Sequence, residues 1–279
     1  MEEWKFTLLE YAHAERVSNA VVYAGYYKPE DTSPLTYTVG LLQRGTEKIL
    51  IDTGYDPKDP ALKELVKNGE IQDFRPPAEV VRRAGIRPED VKHVIITHAH
   101  CDHMAGIRYF PNAVFYLQKE ELTSWITTMA LPREYDVLKA VVRYEDVEAC
   151  VSLMKERRLV LLDGDVDNLF PGIDIRVARN GHTFAMNMVL FRTKNGKYLF
   201  TGDAAYVKGN VIGAKKDGVS TPNGYAVGSL YQVICTLQDI LKIVGGNADR
   251  ILAGHEPGVW SQFPSEITED NLHIAYVAK

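Results

Sequence analysis

The stretch THAHCDHMAG, residues 97–106, places three histidines and one aspartate within six positions: His98, His100, Asp102 and His103. Burying such a cluster is unfavourable without a partner, because protonated imidazoles repel one another and a carboxylate loses its hydration. A cation among these side chains would remove both penalties. Alternate residues of an extended segment point to the same side, so His98 and His100 can share one ion. Asp102 and His103 follow where the chain turns, and can offer ligands to a second ion.

The motif comes at the end of a short apolar run, VKHVIITHAH at residues 91–100, which predicts a buried strand. Three later predicted strands also end on residues of the metal-binding type: RNGH ends at His182, LFTGD at Asp203 and RILAGH at His255. Residues at such junctions are held by a rigid scaffold but face a cleft. The sequence therefore predicts a site of five histidines and two aspartates, enough for two metal ions.

The rest of the chain alternates predicted strands and helices, with no repeat and no Pro/Gly/Ser-rich linker. This alternation predicts an α/β protein, an αβ/βα sandwich of two mixed β-sheets flanked by helices, in a single domain spanning residues 1–279. Residues 119–158 read as a mostly helical insert within it. The other predicted strands include residues 5–11, 20–25, 36–45 and 47–54, and the predicted helices include residues 59–69, 75–85 and 228–246. Asn-Gly at 195–196, between two apolar runs, predicts a hairpin.

Composition excludes several classes of function. The net charge of −5 argues against nucleic acid as the main ligand, since binding its backbone needs a basic face. No stretch approaches the roughly 18 apolar residues of a membrane span. The first residues are acidic where a secretory signal needs basic ones, and the 3 cysteines are odd in number and far apart. We therefore expect a cytoplasmic protein that acts on a small molecule, without nucleic-acid or membrane partners.

The run His-x-His-x-Asp-His, followed by Gly-His, Gly-Asp and Gly-His at strand ends, resembles the metallo-β-lactamase superfamily over nearly the whole chain. The resemblance implies that one ion is bound by His98, His100 and His182, and that the other is bound by Asp102, His103 and His255. It implies that Asp203 bridges the two. It also implies that Asp52, in the IDTG element at residues 51–54, orients a ligand imidazole.

The donor set constrains the metal. Imidazole plus carboxylate suits zinc or another first-row ion, with iron, cobalt and manganese as alternatives, better than magnesium or calcium. Two such ions about 3.5–4 Å apart can hold a hydroxide between them. A homodimer is expected from the helical insert and the family resemblance.

The stretch GDAAYVKGN at residues 202–210 bears on the branch of the superfamily. Tyr206, three residues after Asp203, resembles the phenol by which N-acyl homoserine lactonases contact the substrate carbonyl. True β-lactamases generally lack the bridging aspartate, which disfavours them. Glyoxalase II-like thioesterases share the ligand set, and other small ester or amide hydrolases also fit it. Persulfide dioxygenase-like enzymes use the same motif with a single iron and remain an alternative.

One loop departs from the lactonase pattern. The usual Pro-Gly-His-Thr-Pro-Gly-His is replaced by NGHTFAMNMV at residues 180–189, so Phe184 and Met186 could form an apolar wall of the substrate pocket or pack in the core. The resulting hypothesis is hydrolysis of a lactone or small cyclic ester, such as an N-acyl homoserine lactone. A hydroxide bridging the two ions attacks the carbonyl, Tyr206 stabilises the oxyanion, and Asp102 passes a proton to the ring oxygen.

Overall fold

Two β-sheets lie face to face in the computed structural model, which describes residues 3–279. The first sheet runs, from one edge to the other, through β12 (Ser265–Ile267), β13 (His273–Ala278), β1 (Lys5–Ser18), β2 (Thr32–Arg44), β3 (Glu47–Ile51), β4 (His93–Ile95), β5 (Val114–Gln118) and β6 (Leu159–Leu162). The second sheet runs through β11 (Ile251–Ala253), β10 (Gly196–Gly202), β9 (Ala185–Thr193), β8 (Ile173–Arg179) and β7 (Val166–Phe170).

Helices connect the strands. They are α1 (Asn19–Val22), α2 (Pro60–Lys67), α3 (Pro77–Arg83), α4 (Cys101–Met104), α5 (Lys119–Met129), α6 (Tyr144–Lys155), α7 (Lys208–Ile212), α8 (Leu230–Ile243) and α9 (Val259–Gln262). Short 3₁₀ turns cover 88–90, 107–109, 133–139 and 248–250. Among residues 3–279, no helix is long and apolar enough to cross a membrane.

Three apolar clusters divide the molecule into four layers. The central cluster joins the facing sides of the sheets, where the rings of Phe6 and Phe191 lie 4.4 Å apart. A second cluster packs helices α2, α3, α5 and α6 against the first sheet, through residues such as Leu62 and Trp125. A third packs α7 and α8 against the second sheet, through residues such as Leu237. The predicted αβ/βα sandwich of two mixed sheets is confirmed.

Strand direction decides where the predicted site residues emerge. Strands β3, β4, β5 and β6 are parallel neighbours, so the chain leaves β3 and β4 at the same edge of the first sheet. In the second sheet β10 is parallel to β11, with Gly202 paired to Ala253. The residues that follow these two strands, Asp203 and Gly254-His255, are therefore neighbours as well.

Helix starts follow local sequence signals. The side chain of Asp59 accepts a hydrogen bond from the N–H of Ala61 at the start of α2, where Pro60 occupies the first position. Ser229 and Gln232 form a reciprocal capping box at the start of α8. Both helices lie within the predicted ranges. Residues 119–158, where the sequence predicts a helical insert, contain α5 and α6 joined through a 3₁₀ turn.

The predicted hairpin at 195–196 is present, with Thr193 paired to Gly196 between β9 and β10. The predicted strand at residues 20–25 is wrong, because this segment forms α1 and a turn. Ser18 accepts a hydrogen bond from the N–H of Ala20 and caps the helix, while Gly25, at φ 77°, reverses the chain. A short apolar run does not distinguish a strand from one helical turn, and here the cap decides.

Candidate metal centre

The seven predicted ligands converge at one edge of the two sheets, although they come from distant parts of the sequence. His98 follows β4, and His100 occupies the cap position of α4, which carries Asp102 and His103. The remaining ligands follow strands of the second sheet: His182 comes after β8, Asp203 after β10 and His255 after β11. Their nitrogen and oxygen atoms form two compact groups, His98–His100–His182–Asp203 and Asp102–His103–His255–Asp203.

Asp203 belongs to both groups because its two carboxylate oxygens face different ways. Its Oδ2 lies 3.5 Å from Nε2 of His182 and 3.8 Å from Nε2 of His98. Its Oδ1 lies 3.1 Å from Nε2 of His103 and 3.1 Å from Nε2 of His255. Oδ2 also lies 3.3 Å from Nε2 of His255. The carboxylate therefore stands between the two groups, within reach of both, which is the position that a bridging ligand requires.

The other contacts complete two separate ligand sets. In the first group, Nε2 of His182 lies 3.1 Å from Nδ1 of His100. In the second, Oδ2 of Asp102 lies 3.5 Å from Nε2 of His103 and 3.7 Å from Nε2 of His255. Three nitrogens and a shared oxygen therefore face one point, and two nitrogens and two oxygens face another.

Asp52 lies beneath the second group. Its Oδ2 is 2.8 Å from Nδ1 of His103, and its carboxylate also accepts hydrogen bonds from the N–H (2.7 Å) and hydroxyl (2.8 Å) of Thr97. Asp52 adopts a left-handed backbone conformation, φ 64°, which turns its side chain toward the motif. The contact leaves Nε2 of His103 directed at Asp203.

Unpaired polar atoms mark the place of a cation. Among residues 3–279, the buried atoms without a hydrogen-bond partner include Nε2 of His98, Nε2 of His100 and Nδ1 of His182. Buried polar atoms are normally satisfied, so this concentration needs an explanation. Imidazole nitrogens and carboxylate oxygens are the donors that zinc and similar divalent ions take. The residues therefore fit two such ions.

Electrostatics distinguishes the two groups. Burial lowers the pKa of His100 to about 3 and that of His182 to about 4. Burial also lowers the pKa of His98 well below its ordinary value, with His103 and His100 adding to the effect. These three imidazoles are therefore neutral, which is the state in which histidine binds a metal.

In the second group the pKa values of both histidines are raised rather than lowered. Burial lowers the pKa of His103, but the carboxylates of Asp203, Asp102 and Asp52 outweigh this and raise it well above its usual range. The pKa of His255 is raised for the same reason, chiefly by Asp203. A cation bound here would take over the role of these protons as partner of the carboxylates.

Glycine before His255 allows the second sheet to approach the site. A Cβ at Gly254 would lie 2.7 Å from Oδ1 of Asp203 and 2.7 Å from the carbonyl oxygen of Gly202. Only glycine fits between the ends of β10 and β11 at this distance.

A cavity of about 690 Å³ opens onto the ligands. His100, Asp102, Asp203 and His255 form part of its wall, and so does Tyr206. The Tyr206 ring lies 5.4 Å from that of His182 and 5.3 Å from that of His255, so it stands against both groups. Burial raises the pKa of Tyr206 well above its usual value, which keeps the phenol protonated.

Phe184 and Met186 do not line this cavity. Met186 is fully buried in the cluster between the second sheet and its helices, and Phe184 packs on Trp125 with ring centroids 5.1 Å apart. The expectation that they form a wall of the substrate pocket is therefore not met. Their loop is closed by the N–H of Asn180, which donates to the carbonyl of Phe184 (3.0 Å), so both side chains turn toward the core.

Sequence reasoning missed Glu121, on α5. This side chain is fully buried and accepts hydrogen bonds from residues beside the ligands His98, His100 and His182. Burial raises its pKa to about 7. The available signal was an acidic residue four positions before Trp125, on the apolar face of a predicted helix. Tyr37 and Tyr55, on the cavity wall, were also missed.

A family model described as the metallo-beta-lactamase superfamily matches residues 33–255. The chain belongs to the metallo-β-lactamase superfamily. Within it, the chain is similar to N-acyl homoserine lactonase AttM of Azorhizobium caulinodans, at 25% identity over 193 residues, which cover 66% of this chain and 65% of that protein. It is 27% identical to an N-acyl homoserine lactonase of Bacillus cereus over 180 residues, covering 61% of this chain and 64% of that protein. The matched region thus spans slightly less than two thirds of these relatives.

Solved structures share the fold of this chain. An N-acyl homoserine lactone hydrolase with N-hexanoyl-L-homoserine bound at its catalytic metal centre superimposes with a TM-score of 0.68 at 18% identity, covering 95% of this chain and 98% of that chain. A probable metal-dependent hydrolase from Staphylococcus aureus gives a TM-score of 0.70 at 16% identity, covering 92% and 90%. This chain therefore shares its fold with proteins to which it is less than 20% identical.

Proposed function

We propose that the protein is a metal-dependent hydrolase that opens a lactone or small cyclic ester, with N-acyl homoserine lactones as the first candidates. The two ions are zinc in this proposal, with iron, cobalt or manganese as alternatives. The observation that carries the proposal is the position of Asp203, whose carboxylate lies within 3.8 Å of histidine nitrogens of both ligand sets. In this proposal the second set, Asp102, His103 and His255, holds a second ion, whereas a persulfide dioxygenase-like enzyme would bind a single iron with the same motif.

The cavity favours a substrate with an apolar arm. Beside the ligands, its wall includes Val17, Val21, Leu35, Leu62 and Leu65. Its volume of about 690 Å³ lies within the range of small-molecule sites. An acyl chain can bury its methylene groups there while the ring of the lactone lies against Asp102 and Tyr206.

Two divalent ions in this site supply Lewis acidity, lowering the pKa of water toward about 7 and polarising a carbonyl group. In the reaction, water oxygen bonds to the ester carbonyl carbon and the bond between that carbon and the ring oxygen breaks. The residues must then receive one proton and return it to the ring oxygen. Asp102 is suited to this transfer, because it lines the cavity and, as a ligand carboxylate, is ionised and begins as an acceptor.

Tyr206 supplies a hydrogen bond to the substrate carbonyl oxygen in this proposal. Its phenol is a donor at any physiological pH, since burial keeps the proton on the oxygen. Such a donor acts most strongly where charge develops on that oxygen during attack.

The names of the relatives support the lactone class, since the matched proteins of A. caulinodans and B. cereus are N-acyl homoserine lactonases. A single domain spanning residues 1–279, a homodimer and a cytoplasmic location belong to the same proposal, as predictions from the sequence.

The experiment is a substrate panel on protein loaded with zinc: N-hexanoyl and N-decanoyl homoserine lactones, an acyl thioester and a β-lactam. We expect the lactones to be opened fastest, with the decanoyl substrate preferred because its chain fills the apolar wall. Metal analysis accompanies the assay and should find two ions per chain. A single iron together with oxygen consumption would favour the persulfide dioxygenase-like alternative, and thioester turnover without lactone opening would reject the substrate class.

A further inference from the structure

Glu121 lies on α5, behind the first ligand group, and none of its surface is exposed. Its Oε1 accepts hydrogen bonds from the N–H of Ala99 (3.0 Å), the indole N–H of Trp125 (2.8 Å) and the hydroxyl of Thr183 (2.8 Å). Its Oε2 accepts one from the N–H of Ala185 (2.9 Å). One carboxylate therefore collects four donors from three segments of the chain.

Two of these donors belong to residues that are next to candidate metal ligands in the sequence. Ala99 lies between His98 and His100, and Thr183 directly follows His182. Glu121 thus joins the two segments that carry the histidines of the first group, which belong to different sheets. The two segments meet where Nδ1 of His100 lies 3.1 Å from Nε2 of His182, although these residues are 82 positions apart in the sequence.

The second ligand group has a comparable support. Asp52 accepts from the N–H and the hydroxyl of Thr97 and contacts Nδ1 of His103. Glu121 likewise accepts from a backbone N–H of the motif and from a threonine hydroxyl, but it contacts no ligand ring. Asp52 also reaches the first group, because the hydroxyl of Thr97 lies 3.0 Å from Nδ1 of His98. Glu121 therefore supports the first group, whereas Asp52 contacts the second group directly and the first through Thr97.

The chemistry of the partners requires a carboxylate at position 121. All four partners are donors, and an ionised carboxylate has only acceptors. A glutamine of the same size would direct an NH₂ group at one of these donors and leave it unpaired. Within residues 3–279, no basic side chain forms an ion pair with Glu121, so the hydrogen bonds are its main stabilisation.

We infer that Glu121 is a positioning residue that holds His100 and His182 in the arrangement of the first ion site, as Asp52 does for His103 in the second. This inference shares one premise with the proposed function, namely that the protein binds two metal ions. Loss of such a support typically reduces metal affinity about 10- to 100-fold. The loss should fall on the first site.

The experiment compares Glu121→Gln with Asp52→Asn in the full-length protein, using ¹¹³Cd NMR and competition with a chelator. A site of three nitrogens and one oxygen and a site of two nitrogens and two oxygens give separate resonances. We expect Glu121→Gln to weaken the first site about 10- to 100-fold and to spare the second. Asp52→Asn should instead weaken the second site and, through Thr97 and His98, the first as well. Glu120→Gln, on the exposed neighbour that pairs with Arg179, is the matched control.

Equal weakening of both sites by Glu121→Gln, with a lower melting temperature of the metal-free protein, would overturn the inference in favour of a general structural role. Unchanged affinities would overturn it as well. If Glu121→Gln does not fold, Thr183→Val removes one donor at constant volume, and Thr183→Ser should restore the first site. If the unaltered protein binds fewer than two ions, the proposed function fails, which separates that outcome from failure of the inference.

Discussion

The hydroxyl of Tyr206 donates a hydrogen bond to the carbonyl of Gly224 over 3.2 Å. The Gly224 N–H in turn donates to the carbonyl of Val21 (2.7 Å), and a Cβ at position 224 would lie 2.7 Å from that oxygen. The phenol is therefore held in place between the rings of His182 and His255. Its single proton is directed at Gly224 until a substrate carbonyl offers another acceptor. This arrangement prepares a donor at the cavity wall without placing it on a metal ligand.

Tyr206→Phe should reduce kcat on the best lactone by on the order of 100-fold, because one oxyanion donor contributes about 3 kcal/mol in comparable sites. The metal content should not change, since the hydroxyl contacts no ligand atom. Steady-state kinetics and metal analysis on the same preparation measure both. Tyr231→Phe, on the exposed face of α8, controls for the loss of a phenol elsewhere, and unaltered turnover of Tyr206→Phe would reject the role of this donor.

Asp203→Asn should reduce metal binding and activity together. The substitution keeps the size of the side chain, but it removes the charge and replaces one of the two acceptors that face the separate groups. We expect fewer than two ions per chain after dialysis, and a loss of kcat/KM of at least about 100-fold. Asp163→Asn is a suitable control, because Asp163 is exposed and pairs with Lys119. Two tightly held ions with normal turnover in Asp203→Asn would refute the bridging position.

Removing the ions should destabilise the fold, because buried atoms such as Nε2 of His98 and Nε2 of His100 then have no partner within residues 3–279. A ligand present at a thousandfold its Kd stabilises by about 4 kcal/mol, which for a chain of this size corresponds to a change in Tm of roughly 10 °C. Thermal unfolding with and without a chelator measures this change. Added zinc should restore the Tm, whereas magnesium should not, since it prefers oxygen ligands. An identical Tm in all three conditions would contradict a buried metal site.

The convergence of the seven candidate ligands was predictable because it depends on local sequence. Metal-binding residue types at strand ends, such as Asp203 at the end of LFTGD, can be recognised without knowing the packing. Asp52 was inferred from the resemblance, and the structure places it 2.8 Å from the ring of His103. The architecture was predictable for a similar reason, because strand and helix periodicity alternate along the chain.

Features that depend on long-range packing were not predictable. Whether Met186 lines a pocket or the core is decided by the pairing of β9 and by α7 and α8, which lie elsewhere in the sequence. Glu121 was not singled out in the predicted helix, because its role depends on segments that approach it from positions 99 and 183. At residues 20–25 the apolar pattern indicated a strand, but the hydrogen bond accepted by Ser18 determined a helical turn.

Asp146, on α6, is a buried carboxylate outside the candidate site, and neither of its oxygens accepts a hydrogen bond within the described residues. The guanidinium groups of Arg108 and Arg143 lie 3.6 and 3.7 Å away. Burial raises the pKa of Asp146 to about 6, and the nearby Asp56 and Glu145 add to this, whereas Arg143 and Arg108 only partly oppose it. This carboxyl therefore binds its proton more tightly in the native protein than in the unfolded chain.

The pH dependence of stability follows from this preference. Between about pH 4 and pH 6 the native protein binds the proton more tightly than the unfolded chain does, so the contribution of Asp146 to the free energy of unfolding falls as the pH rises. The difference between the ordinary pKa of 3.8 and about 6 corresponds to about 3 kcal/mol. Asp146→Asn cannot titrate, so its stability relative to the unaltered protein should increase by up to this amount from pH 4 to pH 8. Urea unfolding of both proteins from pH 4 to pH 8 measures the difference between their free energies of unfolding. Metal binding depends on pH in the same way in both proteins, so its contribution cancels in this difference. Glu148→Gln, on the exposed face of α6, controls for the removal of one negative charge, and a constant difference between Asp146→Asn and the unaltered protein would show that Asp146 titrates normally.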